Sequence, residues 1–493
     1  MRPYEGYVYA YPHKTAYRPL RPRPPLTEVW AGERAGALYV HIPFCEMRCG
    51  FCNLFTRTGA PEDLVTAYLD TLERQAVQVR DALDETAFAT AAFGGGTPTY
   101  LAAGELARLF DLTEKAMGVD LAAIPLSVET SPATATPDRL AVLAERGTTR
   151  VSIGVQSFID AEARSAVRPQ RRAEVDAALD AIRASGVPVL NIDLIYGIDG
   201  QTVGSWLHSI ETALSWRPEE IYLYPLYVRP LTGLGRQGRA WDDQRLELYR
   251  AGRDRLVAAG YEQVSMRLFR LPTTATHPTA THPAATHPAA THPTATHPTV
   301  TPSLATPSPV IPSPVIPSPV IPSPVIPSPA ASAVAAADYC CQTDGMVGLG
   351  CGARSYTSAL HYSFEYAVEA RHVRAIIDDY VGREDFGVAN VGFALSLGER
   401  KRRHLIQSLL QAGGLSRALY RERFGVDVLD DFPPQHTGAA PGGGPSLEPF
   451  AGWLLIDDDT VRLTAEGLAH SDAIGPALFS PQVRRLMDEY APC

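Results

Sequence analysis

Leu38-Tyr39-Val40-His41-Ile42-Pro43-Phe44-Cys45-Glu46-Met47-Arg48-Cys49-Gly50-Phe51-Cys52 is the stretch on which the reading of this chain turns. Leu38–Pro43 is short, apolar and rich in β-branched and aromatic residues, the pattern of a strand. The loop directly after it carries Cys45, Cys49 and Cys52, a CxxxCxxC. Three thiolates this close can bind one cubane [4Fe-4S] cluster, whose fourth iron would lack a protein ligand. An open metal position can take a substrate or cofactor. The alternatives are a structural zinc site or three unrelated cysteines. Structural zinc prefers four ligands, often in CxxC pairs, and no second pair lies nearby. Position and spacing therefore favour the cluster.

Outward from this loop, strands and helices alternate. Strands are expected at Leu38–Pro43, Thr90–Phe93, Pro125–Glu129, Arg150–Gly154, Val187–Leu194 and Glu220–Pro225. Helical patterns lie between them, at Pro61–Leu83, Ala103–Met117, Asp138–Arg146, Arg172–Ser185, Val203–Trp216 and Asp242–Ala259. Successive βα units imply a parallel sheet, either doubly wound or rolled toward a barrel. Periodicity alone does not choose between the two.

Composition separates a second component. The chain has 493 residues, 42 prolines and a formal charge of −10. Seventeen prolines fall in Leu271–Ala337, a window with no charged, glycine or aromatic residue. Its two repeats, Thr-His-Pro-x-Ala and Pro-Ser-Pro-Val-Ile, have a period that fits neither a helix face nor a strand face. They read as an unstructured low-complexity insertion. Deleting 273–335 is expected to leave the fold intact. The acidic balance argues against a nucleic-acid partner. No run of about 18 apolar residues suggests a membrane span. The clustered thiols point to a reducing, cytoplasmic compartment.

Beyond the insertion, helices are expected at Val368–Tyr380, Glu399–Ala412 and Leu415–Phe424, with Gly425 as a stop. Trp453–Ile456 and Thr460–Leu463 read as a hairpin. The expected organisation is an N-terminal arm (1–36), a core (37–270), the insertion (271–337), a core extension (338–395) and a mainly helical, winged-helix-like module (396–493). The Tyr-rich arm reads as a loosely packed tail.

Tyr39-Val-His41-Ile-Pro-Phe-Cys45 with its CxxxCxxC resembles the radical S-adenosylmethionine (SAM) enzymes. More narrowly, it resembles the oxygen-independent coproporphyrinogen III oxidases and their heme-chaperone relatives. The motifs that carry the likeness follow in order: Gly94-Gly95-Gly96-Thr97-Pro98-Thr99, Val128-Glu129-Thr130-Ser131-Pro132, Arg150-Val-Ser-Ile-Gly154-Val-Gln156-Ser-Phe158, Asn191-Ile-Asp193-Leu-Ile-Tyr-Gly197 and Gly348-Leu-Gly350-Cys-Gly352-Ala353-Arg-Ser355. The resemblance covers Leu38 to Ser355 without the insertion. It implies an α/β fold, a partial (β/α)6 barrel of the TIM type with its site at the C-terminal strand ends. It also implies two cofactors, a [4Fe-4S] cluster on Cys45, Cys49 and Cys52, and SAM.

The same likeness assigns SAM contacts to Tyr39, Phe51, Gly95, Gly96, Thr97 and Glu129. Gln156, Arg168 and Asp193 match positions that contact a second SAM in the oxidases. Taken by themselves, those three residues read equally well as ion pairs or caps between βα units. The implied chemistry is reductive cleavage of SAM to a 5′-deoxyadenosyl radical, which abstracts hydrogen from a small-molecule substrate of porphyrinogen type. Flavodoxin or ferredoxin would be the electron donor.

The match departs from both subfamilies. Asn53-Leu54 stands where many oxidases carry a fourth cysteine, and no His-Asn pair supplies the chaperones' heme motif. A heme-binding chaperone and a radical enzyme acting on a peptide or another biosynthetic intermediate therefore stay open. Cys340, Cys341 and Cys351 read as spare or buried thiols rather than a second cluster.

Overall fold

The structure, a computed structural model, describes residues 2–8, 10–228, 232–235, 244–272, 343–434 and 446–490. The expected insertion, its five histidines, Cys340 and Cys341 lie outside the described residues, apart from Leu271 and Pro272 at its start.

Six βα units occupy the places the sequence pattern assigns. Their strands are β1 (Arg34–Ile42), β2 (Glu85–Gly95), β3 (Leu126–Thr130), β4 (Arg150–Gln156), β5 (Val189–Tyr196) and β6 (Glu220–Pro225). The helices are α1 (Glu62–Asp81), α2 (Ala103–Met117), α3 (Pro137–Glu145), a short α4 (Asp160–Ser165), α5 (Arg172–Ser185), α6 (Val203–Ser215) and α7 (Arg245–Ala258). Acidic Glu62 and Asp63 open α1, complementing its N-terminal dipole. Gly118 and Gly186, both at positive φ, close α2 and α5.

The six strands lie side by side in chain order, all parallel. A doubly wound sheet reverses its direction of strand addition partway. No reversal occurs within β1–β6, so the arrangement is that of a barrel wall. The two ends of the sheet are not joined to each other in the described strand order, so the barrel is incomplete.

Alternation along each strand decides which side faces what. Leu38, Val40, Phe93, Val128, Val151, Ile153, Ile192 and Leu223 point outward into one buried core with the helices. The intervening residues are small or polar. Ser127 pairs with Arg150, Glu129 with Ser152, Asn191 with Glu220, and Asp193 with Tyr222. The inner wall is therefore polar rather than a filled apolar core.

Beyond β6 the sheet continues through antiparallel β7 (Leu268–Arg270). On the other side β8 (Met346–Leu349) adds parallel to β1, followed by antiparallel β9 (Arg354–Tyr356), β10 (Leu360–Ser363) and β11 (Val391–Ala394). These strands are three or four residues long and lack a distinct sequence pattern. Helix α8 (Ala370–Val381) follows β10.

The C-terminal module has its own apolar core, including Leu405, Leu409, Tyr420, Val461 and Leu463. It contains α9 (Leu397–Leu409), α10 (Arg417–Phe424), β12 (Leu454–Ile456) and β13 (Thr460–Leu463). Leu415–Ser416 pairs with β13 instead of starting α10, which corrects the expected helix boundary and completes a three-stranded sheet. Gly425 stops α10 at φ 76°.

The arm departs most from expectation. Tyr4, Ala10, Tyr11 and Tyr17 are buried. Arg18–Pro19 pairs with β11, so the arm is an integral edge of the sheet. Tyrosine rings supply enough apolar area to dock a segment that its polar composition made look loose.

Candidate functional site at the barrel mouth

The cysteine loop leaves the C-terminal end of β1 and lies against the ends of β2 and β4. Gly96 N–H donates to the Ile42 carbonyl and Thr97 N–H to the Phe44 carbonyl, at 2.8 Å each. These bonds tie the triple-glycine turn to the start of the loop. Cys45 Sγ lies 3.5 Å from Thr97 Oγ1. Arg168 donates through Nη1 to Cys49 Sγ at 3.0 Å. Cys52 Sγ lies 3.8 Å from Thr56 Oγ1.

Two glycines of the turn have an internal reason to lack a side chain. A Cβ on Gly95, whose φ is 110°, would sit 2.4 Å from the His41 ring. One on Gly96 would sit 2.5 Å from the Phe44 carbonyl oxygen. Close packing by the protein itself thus accounts for both residues, before any ligand is considered.

Gly95 N–H donates to Glu129 Oε2 at 3.0 Å. Glu129 is exposed to solvent at the mouth, yet the surrounding walls crowd its carboxyl. That desolvation lifts its pKa, with the Asp193 charge adding to the rise and the Gly95 bond and Arg150 opposing it. Asp193 is half-buried and accepts from Asn191 Nδ2 at 2.7 Å and Ser152 Oγ at 3.3 Å. Burial pushes its carboxyl up to about 6, against the pull of Arg150, Asn191 and Ser152.

Gln156 adopts a positive φ of 67° beside a register shift in β4. Its Oε1 is buried without a partner. Arg168 is buried, with Nη2 donating to the Gly154 carbonyl and Nε to Gln170. Phe51 packs partly buried against the apolar group of Ala166, Ile195, Ile198 and Leu226. Tyr39, half-buried on β1, has its hydroxyl 3.2 Å from His41 Nδ1.

His41 has a place here that sequence reasoning did not assign. Its Nε2 lies 3.1 Å from the Phe55 carbonyl, which can only accept. The proton therefore sits on Nε2, and Nδ1 accepts from Tyr39. Burial lowers the pKa to about 4, so the ring is neutral. Glu46 was also missed: Ser131 donates to its Oε1 at 2.6 Å, while Oε2 is buried without a partner. The period-two pattern of polar residues on the strands was the available signal for the inner wall.

The donor set can be tested against a cluster. Among the described residues, no three His, Cys, Asp or Glu side chains converge closely enough for one metal ion. A cubane, in which each thiolate takes a different iron, asks for wider spacing. Burial drives the Cys45 thiol up to about 12 and raises Cys52 as well, so bare thiolates are disfavoured there. A bound cation reverses that penalty. The orphan oxygens of Gln156, Asn191 and Glu46 give the site further unused polar capacity. The residues fit the group.

The profile of the radical SAM superfamily matches residues 39–213, which includes all three cysteines. Over those residues the chain is similar to the radical SAM superfamily. Similar curated proteins include oxygen-independent coproporphyrinogen III oxidases and heme chaperones. The heme chaperone HemW of Bacillus subtilis is 31% identical over 237 residues, 47% of this chain and 62% of that protein. The oxygen-independent coproporphyrinogen III oxidase of Bradyrhizobium diazoefficiens is 32% identical over 257 residues, 50% of this chain and 56% of that protein. The chain therefore spans less than two thirds of the length of these curated relatives.

Among solved structures, coproporphyrinogen III oxidase HemN of Escherichia coli matches with a TM-score of 0.68 at 21% identity, covering 98% of both chains. That likeness shows the fold of this chain, including its C-terminal part. A [4Fe-4S] cluster and SAM are the cofactors of the superfamily. No helix among the described residues is long and apolar enough to cross a membrane.

Proposed function

We propose that this chain is a radical SAM oxidoreductase of the coproporphyrinogen III oxidase type. Cys45, Cys49 and Cys52 would hold the cluster, leaving one iron for SAM. The observation that carries the reading is the meeting, at one barrel mouth, of the cysteine loop with Glu129, Asp193, Gln156 and Arg168. When bound, the reduced cluster and SAM supply a 5′-deoxyadenosyl radical for hydrogen abstraction. The chain's own residues do the rest. Gly95 N–H fixes Glu129 at the mouth. Neutral His41 fixes the Tyr39 hydroxyl. Arg168 donates to Cys49 Sγ and orients it within the loop. Ser152 and Asn191 hold Asp193 toward the polar lumen.

Anaerobic reconstitution should yield about four irons per chain. With dithionite and SAM, the protein should then release 5′-deoxyadenosine, and coproporphyrinogen III should be decarboxylated in step. Zinc in place of iron, with no deoxyadenosine, would overturn the reading. Deoxyadenosine without porphyrinogen turnover would retain the radical enzyme and move the substrate to another class. A second reading, a heme-binding chaperone, is supported by the equal strength of the HemW match. A stoichiometric Soret shift on heme titration is its test.

A further inference from the structure

Helix α4 ends in an unusual way. Arg168 N–H donates to the Ala163 carbonyl at 2.9 Å and Val167 N–H to the Arg164 carbonyl at 3.0 Å. This is the Schellman pattern, in which the residue after the C-cap takes a left-handed conformation that favours glycine. Here that residue is Val167, at φ 52°. Elsewhere in the chain Gly118, Gly186 and Gly425 hold left-handed positions at helix ends. A β-branched residue at such a φ is an outlier. Burial does not explain it, because Val167 is 43% exposed.

Glycine would make the same turn without strain. What valine adds is its side chain, and that side chain lies on the cysteine loop. A Cβ built on Gly50 would meet Val167 Cβ and Cγ2 at 2.8 Å. Gly50 N–H also donates to the Ala166 carbonyl at 3.1 Å. On another side, Gly233 packs against Gly50 and Leu234 N–H donates to its carbonyl at 2.8 Å. The next residue after Val167 is Arg168, whose guanidinium reaches Cys49 Sγ.

We propose that Val167 is a positioning residue for the cluster loop: its isopropyl group presses on Gly50 and holds Cys49 against Arg168. Backbone strain at this point is retained because the side chain clamps a metal-binding loop. The inference rests on the reading that Cys45, Cys49 and Cys52 carry a cluster.

The test compares anaerobically reconstituted wild type, Val167→Ala and Val167→Gly in the full chain. Iron content, the rate of iron loss to an excess of chelator and the apo-protein Tm are measured. Both variants are expected to lose iron roughly tenfold faster, the scale seen when an outer-shell partner of a metal ligand is removed. The Tm should hold in the alanine variant and hold or rise in the glycine variant, since glycine relieves the strain. Iron loss at the wild-type rate in both variants would overturn the proposal. So would a fall in Tm in both that parallels the iron loss, because that marks general packing. A wild type that takes up no iron refutes the cluster reading itself, and is seen before any variant is compared.

Discussion

His41 shows how much a single buried ring can carry. It holds Tyr39 through one nitrogen and the loop carbonyl of Phe55 through the other. Its folded pKa of about 4 lies below the ordinary 6.5. Such a group contributes full stability above pH 6.5 and loses it as pH falls toward 4. By linkage, wild type should lose about 2 kcal/mol between pH 7 and pH 5 relative to His41→Gln, which cannot titrate. Urea unfolding of both proteins at the two pH values measures this, and a gap that stays constant would refute it. Glu129 and Asp193 have the opposite sign. Their carboxyls are raised, so protonation favours the folded state and their contribution falls as pH rises through the folded pKa. Because Asp193 helps to raise Glu129, Asp193→Asn should lower the Glu129 pKa. A carboxyl-carbon NMR titration would show the shift, and an unmoved Glu129 would show that the two charges are not coupled.

At the level of elements, the strands hold a charged ladder inside the barrel. Arg150 donates to Ser127 Oγ at 2.8 Å and to Glu220 Oε2 at 2.7 Å, and Arg270 donates to Glu220 Oε1 at 2.8 Å. Glu220 is buried on β6, and its one carboxylate serves two guanidinium groups, Arg150 from β4 across β5 and Arg270 from neighbouring β7. Glu220→Leu should cost about 3–5 kcal/mol by removing the buried carboxylate that Arg150 and Arg270 both bond. Arg270→Leu should cost much less, since Arg150 keeps its partner. Equal losses in chemical denaturation would contradict this ranking. The βα order, the cysteine loop and the strand-end motifs were legible in the sequence because each rests on a local pattern. Strands β8 to β11 were not, since three or four residues give no readable period and their pairing is fixed by distant neighbours. The contact of Arg168 with Cys49 was hidden for a similar reason. It joins positions on separate βα units and depends on a left-handed turn at a valine, where sequence patterns lead one to expect glycine.

For the whole molecule, the arm, the barrel and the C-terminal module meet at Asp472. Its side chain is buried and accepts from Arg267 Nη2 at 2.6 Å and from the Tyr227 hydroxyl at 2.7 Å. Its backbone carbonyl accepts from the N–H groups of Glu5 and Gly6. Arg267 in turn lies 4.0 Å from the centre of the Tyr7 ring, and Tyr4 packs edge-on against Tyr196 and Tyr227. A tail with no such anchor would be cut freely by a protease. Here Lys14 and Arg18 lie in a segment tied at one end to this junction and at the other to β11. Asp472→Ala removes the carboxylate but leaves Arg267 in place, so a buried cation loses its counter-charge. A loss of about 3–5 kcal/mol is expected, because truncating one partner exposes the full desolvation penalty of the other. Asp472→Asn keeps an acceptor of the same size and should lose less. If the junction holds the arm, trypsin should cleave after Lys14 faster in the alanine variant under native conditions, while the barrel fragment stays intact; Arg18 precedes a proline and is not a tryptic site. Unchanged cleavage at Lys14 would show that the arm is held by its tyrosines and its pairing with β11, and that the ion pair joins only the barrel to the C-terminal module.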